Sequence, residues 1–315
     1  MTASPTPEQL EYIQDNATEP SPDGTEKLTL DDWMRFPSLL VSLVGLVGNS
    51  LVLWLLGFRI PRNPFSVYIL NLAAADALFL GNTFGSIISD YVSYSEFLSL
   101  VLTYLTYTFY TAGLSLLAAI STERCLAVLF PIWCRCHRPK HASASVCAAI
   151  WAVVALLWGT DVFFCYYVIN DGFCKKVVTI ELGWLTLVTP VLCLSSLALL
   201  LRVQCGSRRR QPPRLYLLVL LIVLVFLLCG VPMGVLDFLY IYHNFPVPFY
   251  LPRLLACVNS SANPFIYFFL GRQKHKRRRE SLRVILQRAL GDKQDSGAWR
   301  EGRPPHTHHD SEMTT

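Results

Sequence analysis

Seven long apolar runs joined by short polar connections dominate this 315-residue chain and leave few folds open to it. They span about residues 36–58, 65–90, 97–126, 143–168, 177–204, 214–242 and 249–270. Each reaches the roughly 20 apolar residues that a helix needs to cross about 30 Å of hydrocarbon. The apolar residues are continuous and do not alternate, which selects helices over the strands of a membrane barrel. A content of 53% hydrophobic and only 16% charged residues agrees, since water-soluble domains carry far more charge. The expected fold is therefore an all-α membrane protein, a bundle of seven transmembrane helices.

Basic residues set the expected orientation. Arg59 and Arg62 follow the first run; Arg135, Arg138 and Lys140 follow the third; Arg208, Arg209 and Arg210 follow the fifth; and "GRQKHKRRRE" follows the seventh. None of those three connections holds a carboxylate. The alternate side carries an acidic N-terminal tail, Asp90, Glu96 and Asp171, with Lys175, Lys176 and Arg253 as its few bases. Cytoplasmic loops are enriched in Lys and Arg, so the N-terminus is expected outside the plasma membrane and the C-terminus in the cytosol. An odd number of spans satisfies this. The net charge of +5 then belongs to a membrane surface and not to nucleic acid.

The chain divides accordingly into an acidic, disordered extracellular tail (1–35), the helical bundle (36–270), an amphipathic membrane-surface helix (271–290) and a polar cytosolic tail (291–315). The first residues lack a basic n-region and an apolar h-region, so the first helix is expected to carry the insertion signal. Asn16-Ala17-Thr18 is either a used glycosylation site or a chance triplet. In the surface helix, Leu282, Ile285, Leu286, Ala289 and Leu290 recur at helical spacing against a basic face, a pattern suited to anionic lipids of the inner leaflet. Ser296, Thr307, Ser311, Thr314 and Thr315 are either phosphorylation sites or plain solvated tail. Of ten cysteines, only Cys165 and Cys174 fall at the outer surface. They form either a bridge or two free thiols, and the oxidising exterior favours the bridge.

Charges inside such runs need partners or a function. Two places stand out: Glu123-Arg124 in "ISTERCLAVLFPIW", and Asp76 deep in the second run. An ionised Asp76 without a cation or polar neighbours would be too expensive to keep. No H-E-x-x-H or G-x-S-x-G occurs, so an enzyme is not expected. A transporter would call for internal repeats or charges aligned through the bilayer, and neither is present.

The ordered set of residues resembles a rhodopsin-like G-protein-coupled receptor: Gly48-Asn49, "NLAAAD" ending in Asp76, Glu123-Arg124-Cys125, Trp151, Pro190, Pro232 within "FLLCGVP", and "SSANPFIYFF" with Asn263, Pro264 and Tyr267. "WLLGFRIPRNPFSVYILNLAAAD", "YTAGLSLLAAISTERCLAVLFPIW" and the Cys165–Cys174 layout are similar to the Mas-related subfamily. The resemblance implies coupling to heterotrimeric G proteins, through phospholipase C and calcium or by lowering cyclic AMP. It assigns activation to Glu123, Arg124, Cys125, Gly230, Pro232, Asn263, Pro264 and Tyr267. Glu123 is expected to neutralise Arg124 at rest. It also implies a polar core of Asp76, Asn49, Asn259, Ser260 and Asn263, holding either sodium or a hydrogen-bond network alone.

Four positions depart from the wider pattern: Pro212 where an acid often restrains the sixth helix, Ala198 for a tyrosine, Gly230 for a tryptophan, and Gly113 for a serine near Asp76. The first suggests basal signalling. The loss of an indole at 230 suggests a shallow ligand site. Asp161 and Glu181 would be its acids, joined by Asp237, with Trp158, Phe163, Phe164, Trp184, Phe238 and Tyr242 as aromatic surface for cation–π contact. The expected ligand is a cationic peptide or small amine, in a setting of mast-cell activation, itch or pain. Lys175 and Lys176 at the rim keep neutral or acidic ligands, or mainly constitutive signalling, as alternatives.

Overall fold

The computed structural model describes residues 30–61, 63–92, 95–139, 141–167, 171–205, 218, 221–243, 250–271 and 281–290. Asn16, Arg208–Arg210, Pro212 and the tail from 291 onward lie outside this set. Every described element is a helix. α1 (Leu30–Trp54) runs into a π-helical turn (Leu55–Arg59); α2 is Pro64–Val92; α3 is Glu96–Leu129; and α4 is a short connection, Pro131–Cys136. α5 (Ala142–Asp161) ends in a second π-helical stretch (Val162–Tyr167), and α6 is Asp171–Cys205. A third π-helical turn (Phe226–Gly230) leads into α7 (Val231–His243), followed by α8 (Tyr250–Gly271) and the surface helix α9 (Leu282–Ala289).

Seven segments therefore appear where seven were expected. Five of the described helices are long and apolar enough to cross a membrane: Trp33–Arg59, Pro64–Val92, Phe97–Leu129, Ala142–Phe164 and Tyr250–Gly271. The fifth and sixth segments contribute the shorter apolar helices Leu182–Ala198 and Leu221–Leu236. α6 starts at Asp171, before the expected residue 177, which places Cys174 in its first turn.

Local chemistry explains several ends. α2 begins with a reciprocal cap: Ser66 N–H donates to Asn63 Oδ1 at 2.6 Å, and Asn63 N–H donates to Ser66 Oγ at 2.8 Å. Pro64, which has no N–H to leave unpaired, occupies the first turn. In the sixth segment Pro232 cannot donate to the carbonyl of the preceding turn, and the helix widens to a π-turn just before it.

α1 packs against both α2 and α8, so the bundle closes on itself; α3 touches α2, α5 and α6. The central position of α3 shows in its burial: Ala112 to Ala118, "AGLSLLA", are all buried. At the other end of the chain α9 docks on α8 through Ile285, Leu286 and Ala289. A Cβ at Gly271 would collide with the backbone carbonyl of Ile285, so only glycine permits this approach.

Candidate functional site

The charge pair that closes α3 is built differently from the sequence expectation. Successive residues on a helix diverge by about 100°, and Glu123 and Arg124 point to different neighbours. Glu123 Oε1 accepts a charge-assisted hydrogen bond from Arg138 Nη2 at 2.7 Å, with both side chains mostly buried. Arg138 lies just before α5, and its Nη2 also donates to Ser143 Oγ at 2.6 Å. The guanidinium of Arg124 instead lies over the ring of Phe65 at the start of α2, 3.3 Å from the centroid. Expected to neutralise Arg124, Glu123 is thus engaged by the connection between α3 and α5. Cys125 is buried beside them.

Midway along the bundle, Asp76 is 4% exposed and accepts a hydrogen bond from Asn263 Nδ2 at 2.8 Å. Ser260 lies within reach of the same carboxylate. Asn49 ties α1 to α8, donating to the carbonyls of Gly45 (3.0 Å) and Ser260 (3.1 Å). Asn259 is buried on the same helix but packs beside Gly230. Asn49 Oδ1 and the Tyr267 hydroxyl are buried without a hydrogen-bond partner among the described residues. Carboxylate, amide and hydroxyl oxygens of this kind suit a hard monovalent cation or water. At Gly113 a Cβ would stand 3.6 Å from Asp76 Oδ1, so the residue leaves a gap where a side-chain oxygen could have joined the set.

Gly230 also takes part in a tie between segments. The buried hydroxyl of Tyr110 on α3 donates to the Gly230 carbonyl, which the π-turn presents toward α3. A Cβ at 230 would come within 2.7 Å of the ring of Phe226. Glycine at 230 thus leaves room for that ring.

Near the middle of α3, at about the level of Asp76, two indoles converge on it. Trp158 of α5 donates to Thr111 Oγ1 at 3.3 Å, and Trp184 of α6 donates to Ser115 Oγ at 3.0 Å. Tyr107 stacks on Trp158 with centroids 5.1 Å apart. Positions 161 and 181 stand three residues from Trp158 and Trp184 respectively, hence on the same helical faces. Because α5 and α6 run in opposite directions, both positions lie one turn further toward the same end. The side chains of Asp161, Cys165, Cys174, Glu181, Asp237, Phe238 and Tyr242 lie outside the described residues. Phe163 and Phe164 meet edge to face, with Phe163 exposed. At the same end Tyr250 O–H donates to Asp90 at 2.7 Å, and Arg35 lies over the rings of Tyr91 and Tyr250, clasping α1, α2 and α8.

Sequence reasoning did not single out Arg138 as a partner, nor Phe65, Tyr110, Thr111 or Ser115. Thr111 and Ser115 left a signal: two hydroxyls four residues apart in an apolar run mark one helical face. Tyr110 left none, because its acceptor is a backbone carbonyl on a distant segment.

A closed bundle of seven apolar helices, with a charged end on its third helix and a polar core around Asp76, defines a seven-transmembrane receptor. The family model for the 7 transmembrane receptor (rhodopsin family) matches residues 48–267. The Mas-related G-protein coupled receptor member X2 of Macaca mulatta is 48% identical over 279 residues, covering 82% of each chain. The human member X2 is 45% identical, covering 85% of this chain and 87% of its own, and the human member X1 is 46% identical, covering 80% and 81%. The chain belongs to the rhodopsin family of seven-transmembrane receptors, in its Mas-related G-protein-coupled branch.

Proposed function

We propose that this receptor faces outward with its N-terminus, admits cationic peptides or small amines at the end of the bundle that carries Asp161 and Glu181, and drives heterotrimeric G proteins at the Arg124 end. The observation that carries the ligand reading is the pair of indoles fixed to α3. Trp158 and Trp184 are anchored on Thr111 and Ser115, one α3 turn apart, and each has an acidic position one turn beyond it. Two carboxylates above a fixed aromatic floor suit an ammonium or guanidinium group, through ion pairing and cation–π contact. Phospholipase C and calcium form the expected output, with inhibition of adenylyl cyclase as a second branch; arrestin would act on the C-terminal tail and anionic lipids on α9. A part in mast-cell activation, itch or pain sensing accords with the Mas-related branch.

Calcium release in cells expressing the receptor, challenged with basic amphipathic peptides and small amines, tests this reading. Asp161→Ala and Glu181→Ala are expected to lose the response at surface levels matched to the parent chain. A full response in both variants would remove the cationic site, and silence of the parent across the panel would remove the cationic ligand class.

Basal signalling is a second reading, favoured by Pro212, which stands where an acid often restrains the sixth helix.

A further inference from the structure

The short helix α4 lies between the ends of two membrane spans. The α3 span stops at Leu129 and the α5 span starts at Ala142, so both flanks of α4 meet the same membrane face. Six residues of helix measure about 9 Å, which keeps the whole of α4 close to the edge of the hydrocarbon. Its sequence, "PIWCRC", carries two thiols there. Cys136 is exposed and Cys134 half-buried, and among the described cysteine side chains Cys136 alone is exposed. Just beyond them Arg138 is held by Glu123 and by Ser143, which fixes where the chain leaves α4.

Each thiol follows an exposed apolar side chain by four residues, about one helical turn, and so shares its face. Ile132, 77% exposed, precedes Cys136; Phe130, 56% exposed, precedes Cys134, and its carbonyl accepts the Cys134 N–H. Arg135, His137, Arg138 and Lys140 surround the pair in sequence, a basic setting suited to anionic headgroups. The two thiols do not bridge each other, since residues two apart on a helix diverge by about 200°. Among the described residues no three His, Cys, Asp or Glu side chains gather as a metal would need. Thiols beside apolar side chains at a basic membrane surface are placed instead for fatty acyl groups. We propose that Cys136, with Cys134 as the lesser partner, is S-acylated, so that α4 carries a lipid anchor into the leaflet on the Arg124 side. The Cys136 sulfur gives up its proton and attacks the carbonyl carbon of a long-chain acyl-CoA. The new carbon–sulfur bond replaces the one to coenzyme A, which leaves as its thiol with that proton. α9 contains no cysteine, so this thioester is the covalent counterpart of its purely electrostatic hold on the same surface. The site rests on the orientation proposed above, with α4 on the cytosolic face, where acyl-CoA is available.

The test is acyl exchange on the full-length receptor expressed in mammalian cells. Free thiols are blocked, thioesters are cleaved with hydroxylamine, and the freed thiols are tagged and mapped by peptide. Tag is expected on Cys136 above all, and only after hydroxylamine. Cys136→Ser should remove the larger part of the α4 tag and Cys134→Ser the smaller, as their exposures rank, and the double variant all of it. Each variant is scored at surface expression equal to the parent, and the two single variants guard against one failing to fold. Cys205, the last residue of α6, is the comparison thiol: a hydroxylamine-dependent tag there with none on α4 would overturn the assignment. In cells treated with hydroxylamine, a membrane-impermeant maleimide should reach Cys136 only after permeabilisation. Reaction in intact cells would overturn the orientation and the site with it. A Cys136 reached only after permeabilisation, yet never tagged in the exchange, would overturn the acylation alone.

Discussion

Glu123 reaches across to Arg138, at 2.7 Å, and Arg138 passes on to Ser143 at 2.6 Å. The acid of the Glu-Arg pair is thereby tied to the start of α5, while Arg124 rests on Phe65 of α2. The end of α3 thus joins its two neighbouring helices through two different charges.

Breaking that tie should loosen the charged end of α3. In Arg138→Ala the mostly buried Glu123 keeps its charge without its partner, lowering stability by about 1–3 kcal/mol. The swap Glu123→Arg with Arg138→Glu should recover part of the loss. Thermal unfolding of the purified receptor checks this, and an Arg138→Ala protein as stable as the parent would show that the pair carries little.

The Tyr110–Gly230 tie makes a second prediction. Tyr110→Phe keeps the ring and leaves the Gly230 carbonyl without its donor, lowering stability by about 1–3 kcal/mol. Gly230→Ala pushes a methyl group toward Phe226 and costs about as much through overpacking. Thermal unfolding of the purified receptor should show both losses; a Gly230→Ala protein as stable as the parent would mean that Phe226 moves aside freely.

Sodium should matter little to this receptor as it stands. Asp76 already has Asn263 as a donor, and Gly113 brings no oxygen to the remaining side. Replacing sodium by an organic cation is expected to shift agonist affinity by less than about fivefold, the low end of allosteric coupling. Gly113→Ser supplies a hydroxyl beside Asp76 and should enlarge the shift. A large sodium effect in the parent chain would show that Gly113 is no obstacle.

Gly271 should tolerate nothing larger. Its Cβ would strike a backbone oxygen of α9, which cannot rotate away as a side chain can. Gly271→Ala is expected to undock α9 and speed proteolytic cleavage between α8 and α9. Cleavage at the parent rate, with the receptor at the surface in normal amounts, would count against this contact.

These relationships mark where the sequence was legible. The seven segments could be read because hydropathy reports directly on the solvent each helix faces, and the neighbours of Asp76 in "SSANPFIYFF" could be named because the ordered motifs resemble the receptor family. The π-helical turns at Leu55–Arg59, Val162–Tyr167 and Phe226–Gly230 could not. Only the last has a local cause, Pro232, and its last carbonyl, at Gly230, is taken by Tyr110 from another segment. Arg138 counted as one more loop charge until the geometry supplied Glu123. Trp158 and Trp184 were legible as aromatic lining; their hydrogen bonds to α3 were not, because two helices had to be placed before the donors met their acceptors.

The widened turn before Pro232 also acts as a phase setting. A π-turn holds one residue more than the α-helix around it, so it rotates everything beyond it by about 100°, a residue's share of an α-helical turn. Deleting a single residue between Phe226 and Gly230 would leave a regular helix of almost the same length. The far half of the sixth segment, position 237 included, would keep its bearing, because the wide turn already absorbs the extra residue. Tightening the turn to a regular α-helix without a deletion would instead swing that half by about 100°, so the direction in which this segment meets a ligand depends on the turn staying wide.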